Sequence, residues 1–168
     1  KCQFRLNTIE NLQFAGINIQ GKESVSKLGI LDAGKIASVF LLKQDMPLNF
    51  RLNRDVKNPN ANPAALSRLD WILMIDDTEM VSGVTNEKLN VAANGGVATM
   101  PLDFNINLKE AFAGKSKDSI LNLIFALSGK NNRPSRITLK AKPYIQIGTA
   151  SIPYPGYINI KKDFTSGI

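Results

Sequence analysis

Apolar and polar residues alternate along most of the chain with the period of two that is typical of β-strands. The first such stretch spans residues 4–19, where the alternation changes parity and Ala15-Gly16 favours a bulge. The other predicted strands are residues 48–56, 66–75, 79–83, 89–91, 97–108, 136–141, 144–147 and 157–160. Turn residues such as Asn94-Gly95-Gly96 separate these strands, which favours antiparallel pairing between neighbours.

Apolar residues recur at helical spacing in two places. In the first, Asp32 can cap a short helix that continues to residue 42. In the second, residues 109–113 form a first turn, and Ser116 or Ser119 caps a helix that ends at Gly129. Helices inserted among many short strands predict a mainly β fold. We expect an immunoglobulin-like or fibronectin III-like antiparallel β-sandwich with one or two inserted helices, formed as a single domain by residues 1–168.

The segment Asn58-Pro59-Asn60-Ala61-Asn62-Pro63 is predicted to be a loop, because its prolines lack the amide donor that a central strand needs. Its asparagines allow two interpretations. They form either a polar binding loop or a corner in which asparagine side chains close Asx-turns onto the backbone. The second interpretation is favoured, because asparagine beside proline is typical of such turns.

The order of these features resembles the late embryogenesis abundant type 2 family, also called the water-stress or hypersensitive-response domain. Four features carry the resemblance: the strand that ends in Asn58-Pro59-Asn60, a strand with a central Trp71, a hairpin that ends at Ser82-Gly83, and the long strand 97–108. The match covers about residues 47–142. The segments Phe14-Ala15-Gly16-Ile17 and Pro153-Tyr154-Pro155-Gly156-Tyr157-Ile158 are similar to the bacterial envelope versions, which are often lipoproteins.

The resemblance implies a sandwich fold and makes Asn58, Pro59 and Asn60 the family's motif loop. It also implies a place in the bacterial cell envelope, facing the periplasm, with a lipid-bearing cysteine upstream of Lys1. The family shares no catalytic residues, so the resemblance implies no reaction and no cofactor. Plant relatives are associated with desiccation and stress, but the helical insertion at residues 109–129 departs from their pattern.

Composition narrows the chemistry further. The chain contains no histidine and one cysteine, so hydrolytic triads, zinc sites and internal disulfides are not expected. We identify no catalytic residue and no metal ligand, and we expect neither an enzyme nor a cofactor.

Cys2 is read as a half-buried strand residue, with its own lipidation as the less favoured alternative. Asp76, Asp77 and Glu79 offer oxygen ligands for calcium, but a calcium loop needs more of them, so an exposed hairpin tip is favoured.

Positive charge is concentrated in the last third of the chain. Residues 1–108 contain eleven Lys or Arg and eleven Asp or Glu, whereas residues 109–168 contain ten and three, so the later segment accounts for the net charge of +7. A candidate anion-binding patch consists of Lys130, Arg133, Arg136, Lys140 and Lys142. It either meets an anionic surface through salt-sensitive contacts or is a solvated face whose lysines protect a sheet edge. Nucleic acid is not expected, because aromatic residues make up only 7% of the chain.

These observations lead to the hypothesis of a non-enzymatic interaction or structural domain of the bacterial cell envelope. Its expected partner is an envelope protein or an anionic surface, and contact with the membrane is expected only through an upstream lipid anchor. The alternative is a desiccation or stress protectant that binds membranes or client proteins.

Overall fold

The computed structural model describes residues 2–22, 24–111, 113–128, 135–147 and 149–164. The strands are β1 (Gln3–Phe14), β2 (Ile17–Asn18), β3 (Pro47–Asn58), β4 (Ala64–Ile75), β5 (Thr78–Thr85), β6 (Leu89–Val91), β7 (Gly96–Asn107), β8 (Ser135–Ile147), β9 (Ala150–Pro153) and β10 (Ile158–Phe164). The helices are α1 (Ile30–Leu41), α2 (Leu108–Ala111) and α3 (Lys117–Leu127), and Val25–Lys27 forms a 3-10 turn.

The strands form two antiparallel sheets, which confirms the predicted mainly β sandwich with inserted helices. The strand order of one sheet is β2-β1-β3-β7. The other has the order β10-β8-β4-β5, with β6 paired to β4 and β9 paired to β8. In this second sheet β4 pairs with β8 from Leu66 opposite Ile145 to Ile75 opposite Ile137.

Contacts divide the chain into two compact units. The first combines Lys1–Thr8, Asn53–Leu102 and Ile137–Lys162. In its part of β7, Met100 and Leu102 are buried and the residues beside them are exposed, because every second side chain of a strand points to the same side of the sheet. One apolar cluster of this unit consists of Val56, Leu66 and Val91, with Cys2, Phe4, Leu89, Ala98 and Ile145 packed against it.

The second unit combines Ile9–Leu52, Asp103–Arg136 and Asp163–Ile168, and it contains α1, α2 and α3. Two aromatic pairs lie in it: the ring centroids of Phe50 and Phe104 are 5.2 Å apart, and those of Phe14 and Phe40 are 6.2 Å apart. The hydroxyl oxygen of Ser116 accepts a hydrogen bond from the backbone amide of Ser119 at 3.2 Å. Of the two predicted caps, Ser116 is therefore the one that caps α3. The expectation of a single domain over residues 1–168 stays a prediction.

The predicted continuous strand over residues 4–19 is wrong, because the chain forms a hairpin there. β1 ends at Phe14, which pairs with Ile17 of the returning β2. Ala15 and Gly16 have φ of 50° and 79°, the backbone that a two-residue hairpin turn requires. The parity changes instead at Asn11, whose φ is 54° and which is exposed together with Glu10.

The end of the chain also differs from the prediction. The expected strands 136–141 and 144–147 form one continuous strand, β8, which runs through Pro143. No strand is predicted between residues 147 and 157, but β9 begins at Ala150 and pairs with β8. Within β8, Ile137, Thr138, Leu139 and Ala141 are all buried, so this part of the strand does not alternate strictly between buried and exposed residues.

Candidate functional site

Helix α1 exposes several large apolar side chains to solvent. The helix begins at Ile30 behind Gly29, and not with the predicted Asp32 cap. Its buried residues are Ile36 and Val39. The large apolar side chains Ile30, Leu31, Leu41 and Leu42 are 92, 89, 82 and 63% exposed, respectively. A surface helix ordinarily turns charged and polar residues to water, so α1 departs from the usual pattern.

Spacings of three and four residues arrange the exposed residues of α1 in two adjacent stripes. One stripe contains Ile30, Gly34, Ala37 and Leu41, and the other contains Leu31, Lys35, Ser38 and Leu42. Lys35 is the one charged residue of the two stripes, and the other seven residues are uncharged. The hydroxyl of Ser38 donates to the carbonyl of Gly34 at 3.0 Å, so this polar group is satisfied within the helix. We call the seven uncharged residues of the two stripes the α1 face.

A cavity of about 740 Å³ opens beside the C-terminal half of α1. Its apolar lining includes Phe40, Leu41, Met46 and Ile120. The charged residues among the described lining are all lysines, namely Lys43, Lys109, Lys115 and Lys117. The ammonium of Lys117 lies 5.7 Å from the ring centroid of Phe40, within the range of a cation–π contact. The cavity therefore joins apolar surface to concentrated positive charge, and its volume is typical of ligand pockets.

This arrangement suits an anionic group attached to an apolar body. The lysines can bind phosphate or carboxylate oxygens, while the α1 face removes apolar ligand surface from water. Within the described residues, no group of three or more His, Cys, Asp or Glu side chains could hold a metal ion. In the same part of the chain, every helix is too short or too polar to traverse a bilayer.

The motif loop is held together by Asn58, which is fully buried. Its side-chain amide donates to the carbonyl of Asn62 at 2.8 Å and to that of Val91 at 3.3 Å. Its side-chain oxygen accepts the backbone amide of Asn60 at 3.1 Å, which closes an Asx-turn. The amide of Gly95 donates to the backbone carbonyl of Asn58 at 2.7 Å. These contacts give Asn58 the structural role of joining the motif loop to the turn before β7.

The candidate basic patch is only partly described. Lys130 and Arg133 lie outside the described residues. Arg136, Lys140 and Lys142 are separated by even numbers of residues in β8, with the buried Thr138 between the first two, and Lys142 lies opposite Asp70 in the register of β4. The carboxylate of Asp70 accepts a hydrogen bond from the guanidinium of Arg68 at 2.7 Å and another from the hydroxyl of Tyr144 at 3.3 Å. An acidic residue therefore lies beside the described part of the basic patch. The role of this patch in anion binding stays a prediction.

The acidic residues of the calcium alternative lie at the turn between β4 and β5. Asp76 and Asp77 form the turn with φ of 48° and 64°, and both are exposed together with Glu79. The position agrees with the favoured interpretation as a hairpin tip.

A charged cluster around Asp55 was missed by sequence reasoning. The side chain of Asp55 accepts hydrogen bonds from Thr99 at 2.8 Å, from Arg5 at 2.9 Å and from Asn7 at 3.3 Å. The hydrogen bond from Thr99, followed by the contacts with Arg5 and Asn7, holds the pKa of this buried carboxyl below its usual range. The donors are far from Asp55 in sequence, so strand alternation could not identify them.

The α1 face was also missed. Sequence reasoning placed Leu31 with Ile36, Val39 and Phe40 on one apolar side, because spacing alone does not show which side of a helix packs. The available signal was the additional apolar residues Ile30, Leu41 and Leu42, which extend the apolar surface beyond one side of the helix.

Comparisons with known proteins find distant structural similarity. No protein-family model matches the chain, and no curated protein matches its sequence significantly. A protein from Archaeoglobus fulgidus is 13% identical with a TM-score of 0.45, over 97% of this chain and 98% of that chain. A putative late embryogenesis abundant (LEA) protein, At2g46140.1, is 12% identical with a TM-score of 0.41, over 96% of this chain and 71% of that chain. AT1g01470 from Arabidopsis thaliana is 13% identical with a TM-score of 0.45, over 72% and 71%.

Proposed function

We propose that this chain is a non-enzymatic interaction domain that binds anionic phospholipid surfaces through the α1 face and the lysine-lined cavity. The observation that carries the proposal is the exposure of Ile30, Leu31, Leu41 and Leu42 beside a cavity whose described charged residues are all lysines. The sequence analysis expected membrane contact only through a lipid anchor. The α1 face favours a direct contact in addition.

The energetics are sufficient for reversible binding. Burying a Leu or Ile side chain completely contributes about 1.5–3 kcal/mol, so partial burial of four such residues contributes several kcal/mol. A lysine near an anionic leaflet contributes about 1 kcal/mol, and this term weakens as salt increases. A helix of this kind lies in the headgroup region without spanning the bilayer.

The proposal places the protein in the bacterial cell envelope, facing the periplasm and tethered by a lipid upstream of Lys1. Its support is the resemblance carried by Phe14-Ala15-Gly16-Ile17 and by Pro153-Tyr154-Pro155-Gly156-Tyr157-Ile158. Fractionation of cells that express the full-length gene tests this part. Recovery with the cytosol, without covalent lipid, would contradict it.

Vesicle flotation tests the binding surface. We expect the wild-type protein to float with vesicles that contain phosphatidylglycerol at low salt, and to float less at high salt or with phosphatidylcholine alone. Leu31→Asp and Leu41→Asp should abolish flotation, because each puts a charge into the apolar face. Lys115→Glu combined with Lys117→Glu should remove the dependence on anionic lipid.

Matched controls use exposed residues of the other unit. Val84 is 50% exposed on β5, so Val84→Asp introduces the same charge at an exposed apolar position that is not part of the α1 face. Lys88→Glu repeats the charge reversal at an exposed lysine outside the cavity lining. Both variants should float like the wild-type protein. Absence of wild-type binding at low salt, or equal losses in the control variants, would contradict the proposal.

A stress protectant that holds client proteins is the second candidate, because an exposed apolar surface also binds unfolding chains. Light scattering by a heat-aggregating enzyme separates the two functions. Suppression that is lost in Leu31→Asp, in a protein that does not bind vesicles, would favour the protectant.

A further inference from the structure

Arg54 is a buried arginine with unused hydrogen-bond donors. It is 4% exposed, and its buried Nε and Nη2 atoms have no hydrogen-bond partner among the residues that the structure describes. The nearby Val56, two residues further along β3 and therefore on the same side of the strand, belongs to the apolar cluster with Leu66 and Val91. A guanidinium buried in such surroundings is costly unless an anion compensates its charge.

The carboxylates of the described residues do not fill this role. The neighbouring Asp55 points to the opposite side of β3, where Thr99, Arg5 and Asn7 donate to it. Glu87 acts electrostatically on Arg54, but its side chain is exposed and accepts no hydrogen bond from Nε or Nη2. The two donors therefore need a partner that the described residues do not supply.

Two other arginines of this protein show which partner fits. Nε and Nη2 of Arg51 bind the two carboxylate oxygens of Asp103 at 2.7 and 3.0 Å. Nε and Nη2 of Arg5 both lie 2.9 Å from one carboxylate oxygen of Asp55, Oδ2. Nε and Nη2 share one edge of the guanidinium, which matches the planar carboxylate group. Arg54 has the same edge free.

We propose that Arg54 is the recognition residue of a second binding site, which takes the carboxylate of a small organic acid. A monoanion balances the single charge of Arg54, whereas a dianion such as phosphate would bury an uncompensated negative charge. This site does not depend on the proposed function of the α1 face.

Thermal unfolding of the full chain tests the site, with sodium formate and sodium acetate as probes. Sodium chloride at equal ionic strength and the neutral analogue acetamide serve as controls. We expect both carboxylates to raise the unfolding midpoint above the chloride value by about 2–4 °C and to saturate, as binding to the folded state requires. Arg54→Met should lose this response. Arg51→Met is the matched control and should keep it.

The comparison is made between salts within each variant, so a change in the basal stability of Arg54→Met does not affect the outcome. In the wild-type protein, the Nε–H resonance of Arg54 should shift on addition of formate and saturate. A carboxylate response no larger than that of chloride would overturn the proposal, as would an equal response in Arg54→Met. A response seen only in Glu87→Gln would also overturn it, because it would show that Glu87 occupies the donors of Arg54 in solution.

Discussion

Asn58 shows how far a single residue can be interpreted from sequence. Asparagine before proline in a polar segment predicted an Asx-turn, and the amide of Asn60 makes that contact. The contact with the carbonyl of Val91 could not be predicted, because Val91 is far along the chain and its position depends on the pairing of β6 with β4. Local turn chemistry is encoded locally, whereas the partners of a buried side chain depend on the fold.

Asn58→Ala should destabilise the protein by about 3 kcal/mol, because the buried carbonyls of Asn62 and Val91 lose their donor. Urea unfolding measures the change. Asn90→Ala removes an exposed asparagine of β6 and should change the free energy of unfolding by less than about 0.5 kcal/mol. Equal effects of the two substitutions would show that the motif loop is not held as described.

The lowered pKa of Asp55 makes the free energy of unfolding depend on pH in the acid range. Its pKa in the folded protein is lowered, chiefly by the hydrogen bond from Thr99, so the ionised carboxyl stabilises the fold above the pKa of the unfolded chain. This contribution is lost as the pH falls through the folded-state pKa. Asp55→Asn should therefore lose less stability than the wild-type protein between neutral pH and about pH 3.

Urea unfolding at both pH values gives this difference for each protein. Asp77→Asn changes an exposed aspartate at the β4–β5 turn and serves as the control, because its loss on acidification should match that of the wild-type protein. An unchanged acid dependence in Asp55→Asn would contradict the assignment.

At the scale of elements, the strands with strict alternation were predicted well. Residues 97–108 alternate regularly, and β7 occupies nearly the same range. Prediction failed where a backbone turn replaced a continued strand, as at Ala15-Gly16, because a bulge and a tight hairpin use the same residue types. It also failed at α1, where tertiary packing decides which side of the helix is buried.

The pairing of β4 with β5 leaves no room for a side chain at Gly83. It lies opposite Trp71, and a Cβ atom at this position would be 2.5 Å from the indole ring. Gly83→Ala should displace the ring, weaken the 3.2 Å hydrogen bond from Trp71 to Thr85, and destabilise the protein by about 1–3 kcal/mol. Because Trp71 is the single tryptophan, its fluorescence reports the displacement directly.

Gly34→Ala is the matched control for that substitution. No atom lies within 4 Å of the added Cβ in α1, so alanine should stabilise the helix by up to about 1 kcal/mol. Unchanged fluorescence and stability in Gly83→Ala would contradict the packing of Trp71 against Gly83.

At the scale of the whole molecule, the period of two was sufficient to predict a mainly β sandwich. It was not sufficient to locate the candidate site. The α1 face and the lysine-lined cavity combine residues of α1, of α3, of the segment before β3 and of the segment after β7. No local sequence pattern connects these residues. The candidate patch chosen from sequence was the densest run of positive charge. The candidate site in the structure is instead defined by the exposed apolar residues of the α1 face.

Fluorescence of a label on α1 tests the central claim most directly. An environment-sensitive fluorophore is attached to Leu31→Cys in a Cys2→Ser background, and vesicles with and without phosphatidylglycerol are added. The account predicts a blue shift with the anionic vesicles at low salt, and its loss when Leu41→Asp is added. A label at Val84→Cys, as the control, should not respond. An unshifted label at position 31 on vesicles that bind the protein would contradict the claim that α1 makes the contact.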